Sequence, residues 1–299
     1  MPDRLEKLIE KTTPRYNVTL PLLKRKLTYR PFLVKEEKVL LISTADLDQD
    51  DIAGRYKAII LLLENCTDLN DIGSLSPAEV DWLFVQIRAR SVNNIVKASY
   101  TSSVGNASVE VDLEHLEIDG DFPDPLIPLR DGIEMILSPP SLDDILECGE
   151  GKKTDNFCLL KKCLNEIRSK DDIIKREEMS EEDINSFIDS LSVEHLDKTR
   201  KYFNNLPSIK KEITVKHENS EESQTIILSG IRDLLSLCLS HMSLSAYYEI
   251  NFALMQHHNY SLHDLESMIP WERDVYITYL KSWLEEQKQE QQKRMKKAY

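Results

Sequence analysis

The sequence predicts an α+β protein: an N-terminal module of helices and β-hairpins, then a mainly α-helical C-terminal module with one small hairpin. Three observations carry this reading. Glycine is scarce, 8 of 299 residues where average usage of about 7% would give about 20, which disfavours phosphate-cradling loops and tight all-β architecture. Apolar residues recur at helical spacing behind Ser or Thr caps in many segments. Period-two runs are confined to a few places, each flanked by turn residues.

The first of those runs lies at Val18-Thr19-Leu20 and Leu27-Thr28-Tyr29, separated by Pro21 and Lys24-Arg25-Lys26, and predicts a hairpin within Thr19 to Phe32. Val34, Lys38, Leu41 and Ile42 then mark a helix, and Ile52 to Cys66 another with Tyr56, Ile59, Ile60 and Leu63 on one side. Ser76-Pro77-Ala78-Glu79 reads as an N-cap, a proline at the first helical position and an early acid, ahead of Val80, Leu83, Phe84 and Ile87. Ile95 to Tyr100 and Val109 to Leu113 flank Val104-Gly105-Asn106, a second hairpin. Pro123, Pro125 and Pro128 punctuate an acidic connection before a short strand, Gly132 to Leu137.

Ser141 opens another helix, and Gly149 to Asp155 reads as an interruption or hinge before a helix over Phe157 to Arg168. Ser180 with Asp183, and then Ser192, cap two short helices. Lys210 to Leu228 forms a hairpin closed by Glu218 to Ser223. From Gly230 onward only helices are expected. Ile231, Leu234, Leu235, Cys238 and Leu239 stripe the first, Ser243 caps the second, and Ser261 with Asp264 caps a short third. Trp271 to Gln292 is a long one, with the charged Glu285 to Lys297 lacking its apolar stripe. The expected division is 1–140, an α+β domain; 141–179, a charged connector with a helix; 180–229, two helices plus a hairpin; and 230–299, a helical module with a charged tail.

The formal charge is −14, and Glu110 to Glu150 contributes thirteen acids against one base, Arg130. Without a concentrated basic face, nucleic-acid binding is not expected; acidity of this kind suits solubility or a basic protein partner. No apolar run approaches the roughly 20 residues a bilayer span needs, and the N-terminal residues lack a secretory pattern. The five cysteines, Cys66, Cys148, Cys158, Cys163 and Cys238, are odd in number and have no CxxC spacing, so reduced thiols and a cytosolic setting are expected.

Chemistry-bearing motifs are missing. No HExxH occurs, His257 and His258 are adjacent, and the hairpin at Ser99 to Val109 carries Ser102 and Ser103 where a zinc ribbon needs thiolates, so no metal site is expected. Gly149-Glu-Gly151-Lys152-Lys153-Thr154 is too short of glycine for a phosphate loop, no GxSxG elbow exists, and Cys158 shares a face with Leu159 and Leu160. No cofactor is called for, and an enzyme is not supported. The pair of helices at Ser180 to Leu206 has too mixed a surface for a helix-turn-helix reader. What remains is a partner-binding surface on the C-terminal helices: Tyr247, Tyr248, Phe252, Met255, Trp271, Tyr276, Tyr279 and Trp283, whose rings and thioether can repack around apolar helices.

Several stretches resemble the baseplate hub assembly proteins and tail assembly chaperones of T-even-like contractile-tailed bacteriophages. They are Leu20-Pro21, Tyr29-Arg30-Pro31-Phe32-Leu33-Val34-Lys35-Glu36-Glu37-Lys38, Asp81-Trp82-Leu83-Phe84-Val85-Gln86-Ile87-Arg88-Ala89-Arg90-Ser91-Val92, Phe203 to Pro207, Tyr247 to Asn251, and Met268 to Tyr276. The resemblance implies a non-enzymatic role in building the tail hub in the host cytoplasm, as a chaperone holding helices of the tape measure protein. Implied partners are that protein, other baseplate hub proteins, and further copies of the chain or related tail assembly factors, with no nucleic acid or membrane. The alternative it implies is a structural hub subunit retained in the virion tail baseplate.

Overall fold

In the computed structural model, which describes residues 13–45, 51–102, 105–149, 155–216 and 223–297, the first described strand is β1 (Tyr16–Thr19), antiparallel to β2 (Lys26–Tyr29). The rings of Tyr16 and Tyr29 stack across this pair, a cross-strand contact that fixes register. Three helices follow: α1 (Val34–Ala45), α2 (Ile52–Cys66) and α3 (Pro77–Ser91). The start of α3 is as the sequence predicts, with Ser76 Oγ accepting the Glu79 N–H and Pro77 opening the helix. Helix α3 is buried on nearly every side, which is why its apolar residues are not confined to one stripe.

Its buried polar side chains serve other elements. Glu79 Oε1 accepts the Leu22 and Leu23 N–H groups at 3.0 and 2.7 Å, holding the turn between β1 and β2. Asp81 accepts from the Tyr56 hydroxyl of α2, and Ser91 Oγ accepts the Phe32 N–H at 2.9 Å. Thus α3 organises the hairpin, α2 and the start of α1 through bonds that would be costly to leave unmade in an apolar interior.

The second hairpin pairs β3 (Ile95–Ser102) with β4 (Gly105–Asp112), and β5 (Ile118–Asp119) follows. Next come β6 (Leu126–Pro128) and β7 (Glu134–Leu137), then α4 (Leu142–Cys148) and α5 (Asn156–Cys163). The helix expected over Phe157 to Arg168 is corrected here: it stops at Cys163, and Leu164–Arg168 is β8, paired with β7 on one side and with β9 (Ile173–Lys175) on the other. Tertiary pairing overrides the local period, because Leu164 and Ile167 pack into a core that only an extended chain beside β7 can reach. The resulting sheet, in order β6-β7-β8-β9, is antiparallel throughout.

Helices α6 (Glu181–Asp189) and α7 (Val193–Asn204) start at the predicted caps, Ser180 with Asp183 and then Ser192, which His195 completes as a capping box. The hairpin β10 (Ser208–Lys216) and β11 (Ser223–Ser229) is also as predicted, and β10 additionally pairs with β5. The C-terminal run comprises α8 (Gly230–Leu239), α9 (Leu244–His258), α10 (Leu262–Glu266) and α11 (Pro270–Lys297). The protein is mixed α+β, as expected. Residues 150–154 of the expected hinge, Val104 of the second hairpin's turn, and residues 217–222 of the loop closing β10 and β11 lie outside the described residues.

Two larger cores result. The first joins Leu20, Phe32, Ile59, Leu83, Phe84 and Leu113 to Ile209 and Val215 of β10 and to Ile231, Leu234, Leu235 and Cys238 of α8. The second lies between the four-stranded sheet and α6–α7, with Met135, Leu137, Leu160, Ile184, Ile188 and Tyr202. A third, small cluster of Val34, Leu41 and Tyr247, with Met242 and Met268 against it, seats the C-terminal helices on α1.

The cysteines depart from expectation. Cys148 and Cys158 are joined by a disulfide between the end of α4 and the first turn of α5, while Cys66, Cys163 and Cys238 are free and buried. Sequence spacing hides the pair because ten residues separate its members, and only the return of α5 against α4 brings their Cα atoms to 5.5 Å.

Candidate functional site

The C-terminal helices sort their aromatics by depth. On α9, Ser243 caps the first turn by accepting the Ala246 N–H, and Tyr247, Asn251 and Leu254 turn inward at helical spacing. Tyr247 is 1% exposed and its hydroxyl donates to Glu266 Oε1 at 3.2 Å; burial, followed by the Glu266 charge, drives its phenol pKa upward. Tyr247 is therefore a packing residue, which corrects its expected place on an open surface. One residue on, the helix turns outward: Tyr248 is 52% and Phe252 61% exposed, with Met255 half-buried.

Helix α11 spans 28 residues, about 42 Å. Trp271, Val275, Tyr279 and Trp283 recur every four residues along it, and all are exposed, Tyr279 at 71% and Trp283 at 54%. Tyr276 and Leu284 lie exposed beside them. From Lys281 to Met295 every residue is exposed. Seven of the eight residues expected to bind a partner thus lie at or near the surface.

A buried ion cluster fixes this helical group to α1. Glu37, fully buried, accepts from Arg273 Nη2 at 3.1 Å through one carboxylate oxygen and meets His241 Nε2 at 2.8 Å through the other. The His241 Nδ1 faces the Cys238 carbonyl at 3.1 Å, and the same carbonyl accepts from Arg88 Nε at 2.9 Å. Burial lowers the Arg88 pKa, opposed by Cys238 and Glu37. The Arg273 guanidinium also lies 5.9 Å from the Tyr247 ring centroid, a cation–π distance. Around the cluster, the Val34 N–H donates to the Met268 carbonyl at 2.9 Å and Lys38 Nζ reaches Glu266 at 2.6 Å. A neighbouring bidentate pair, Arg30 with Glu36, holds the start of α1, with Glu36 also accepting the Leu33 N–H.

Sequence reasoning missed this cluster. Its signal was present: Glu36, Glu37, Arg88 and Arg273 all lie inside the stretches quoted above for their resemblance, at charged positions amid apolar helix faces. The arrangement positions helices against one another. Among the described residues no group of three or more His, Cys, Asp or Glu side chains is placed to hold a metal ion, and no helix is long and apolar enough to cross a membrane.

Comparison with known proteins divides the chain along the same seam. Residues 243–281 match the baseplate hub assembly protein Gp51 C-terminal domain, the segment that carries Tyr248, Phe252, Arg273 and the exposed row as far as Tyr279, with Trp283 just beyond it. Glu37 and Arg88 lie in the segment before it, and His241 between the two. No curated protein and no solved structure matches the chain. Since residues 13–236, from the first hairpin to α8, match the T4 bacteriophage base plate protein family, the chain belongs to that family.

Proposed function

We propose that this protein acts in assembly of the phage baseplate hub by lending the exposed aromatic faces of α9 and α11 to amphipathic helices of the tape measure protein, keeping them soluble before the tail tube grows. The observation that carries this reading is the row Trp271, Val275, Tyr279 and Trp283, exposed on a helix whose distal half packs against nothing among the described residues. Rings of this kind supply large contact area at small entropic cost and dominate binding energy when they become buried. The acidic surface between Glu110 and Glu147 is read as serving contacts with basic hub proteins or with further copies of the chain.

The test is coexpression with the tape measure protein. Because the stripe is exposed, Trp271→Ala with Tyr279→Ala and Trp283→Ala should leave thermal stability nearly unchanged while the client shifts from the soluble to the insoluble fraction. An unchanged soluble fraction, with the triple variant folded, would overturn the reading. The match to a base plate protein supports a second reading, a subunit retained in the finished hub; mass spectrometry of purified virions separates the two, since an assembly factor is absent from them.

A further inference from the structure

The disulfide sits where the chain crosses between its two larger cores. Leu142 of α4 belongs to the first core, whereas Leu160 of α5 belongs to the second. Between these helices the Asp155 N–H donates to the Cys148 carbonyl at 2.9 Å, and Lys162 pairs with Glu147. The junction is lined on both sides by apolar residues. A cleft of about 250 Å³ runs between Pro77 and Ile145 on one side and Leu159, Phe203, Leu206 and Pro207 on the other. Ile145 lies three residues before Cys148, and Leu159 directly follows Cys158, so the sulfur bridge ties together the two walls of this cleft.

The remaining thiols are unsuited to redox chemistry. Cys66, Cys163 and Cys238 are buried, and burial drives all three pKa values upward, Cys163 and Cys238 to about 12, which suppresses the reactive thiolate. Cys148 is buried as well, whereas Cys158 is only half-buried, an asymmetry suited to one attacking and one resolving sulfur.

We propose that Cys148 and Cys158 form a redox staple that ties the two cores together across this cleft when oxidised and releases them when reduced. In the closing direction, the Cys158 thiolate attacks a low-molecular-weight disulfide such as glutathione disulfide, forming a mixed disulfide and expelling one glutathione thiolate. The Cys148 thiolate then attacks the Cys158 sulfur and expels the second. The protein loses two electrons and two thiol protons; glutathione disulfide is reduced to two thiols. A chain folded in a reducing compartment and later exposed to an oxidising one would pass from the released to the tied form.

The full chain, equilibrated in glutathione buffers of graded thiol-to-disulfide ratio, tests this by alkylation under denaturing conditions and mass spectrometry. Alkylatable thiols should fall from the five cysteines of the sequence to the three that remain free, with one linked peptide pair, 148 with 158. Hydrogen exchange around α4, α5 and Phe203 to Ser208 should slow in step with that loss. A Cys148→Ser, Cys158→Ser double variant should show the fast exchange in every buffer, and if it misfolds, wild-type chain alkylated in its native state serves instead. Five free thiols throughout, a linkage involving Cys66, Cys163 or Cys238, or exchange indifferent to oxidation would each overturn the proposal.

Discussion

Two buried carboxylates illustrate how differently a charge can be housed. Glu37 has a partner on each oxygen, the Arg273 guanidinium on one and a ring nitrogen of His241 on the other. Removing its charge by Glu37→Gln leaves the buried Arg273 with only the Asp274 carboxylate, 3.9 Å from its Nε, and breaking a buried pair in this way costs about 3–5 kcal/mol. The expected result is a lower denaturation midpoint, together with faster hydrogen exchange in the first turns of α11, where Arg273 would lose its hold. Asp81 is different. It receives the Tyr56 hydroxyl, but its Oδ1 lacks a hydrogen-bond partner, and burial pushes its pKa up to about 8. An acid whose folded pKa lies above its unfolded value of about 3.9 opposes folding increasingly as pH rises, because the unfolded chain releases the proton first. The penalty is absent below about pH 4 and fully developed above about pH 8. Asp81→Asn should therefore flatten the decline of stability between those limits, read from urea midpoints at several pH values; an unchanged slope would show that Asp81 ionises normally in the fold.

At the scale of elements, helix starts were legible because their chemistry is local. Ser76, Ser141, Ser180, Ser192, Ser243 and Ser261 each cap where their spacing predicts, since a hydroxyl three residues ahead of a free N–H needs no information from elsewhere in the chain. The three hairpins were legible for the same reason: their partners are neighbours in sequence. The four-stranded sheet was not. Its strands run three to five residues, one ends at Pro128, and β7 finds β8 only after α4 and α5 intervene. Phe157 to Arg168 has a helical apolar spacing throughout, so only that distant pairing decides that its last five residues extend. The binding face shows a similar split. Exposed positions on α11 follow from an apolar stripe that nothing among the described residues covers, but the depth of Tyr247, adjacent to the exposed Tyr248, depends on Glu266 and α1, which local sequence does not specify.

For the whole molecule, the order of the chain and the order of the cores disagree. Leu20 to Leu142 supplies most of the first core, but Ile209, Val215, Ile231, Leu234, Leu235 and Cys238 return to complete it after the chain has built the second. Arg88 is tied to the Cys238 carbonyl across this seam. Helix α8 is consequently interior structure, whereas α9 to α11 are held by the small cluster around Val34 and Tyr247 and by the contacts of Glu37 and Lys38. Truncation should expose the difference. A chain ending after Ser229 loses the five buried apolar residues of α8, each worth about 2–5 kcal/mol in a core, against a total stability of about 5–15 kcal/mol. It should fail to give a cooperative transition. A chain ending after Met242 keeps α8 and the contact of His241 with Glu37, so it should still unfold cooperatively, at a lower midpoint, with Val34 and Leu41 newly exposed to a hydrophobic dye. If both truncations unfold alike, α8 does not complete the first core.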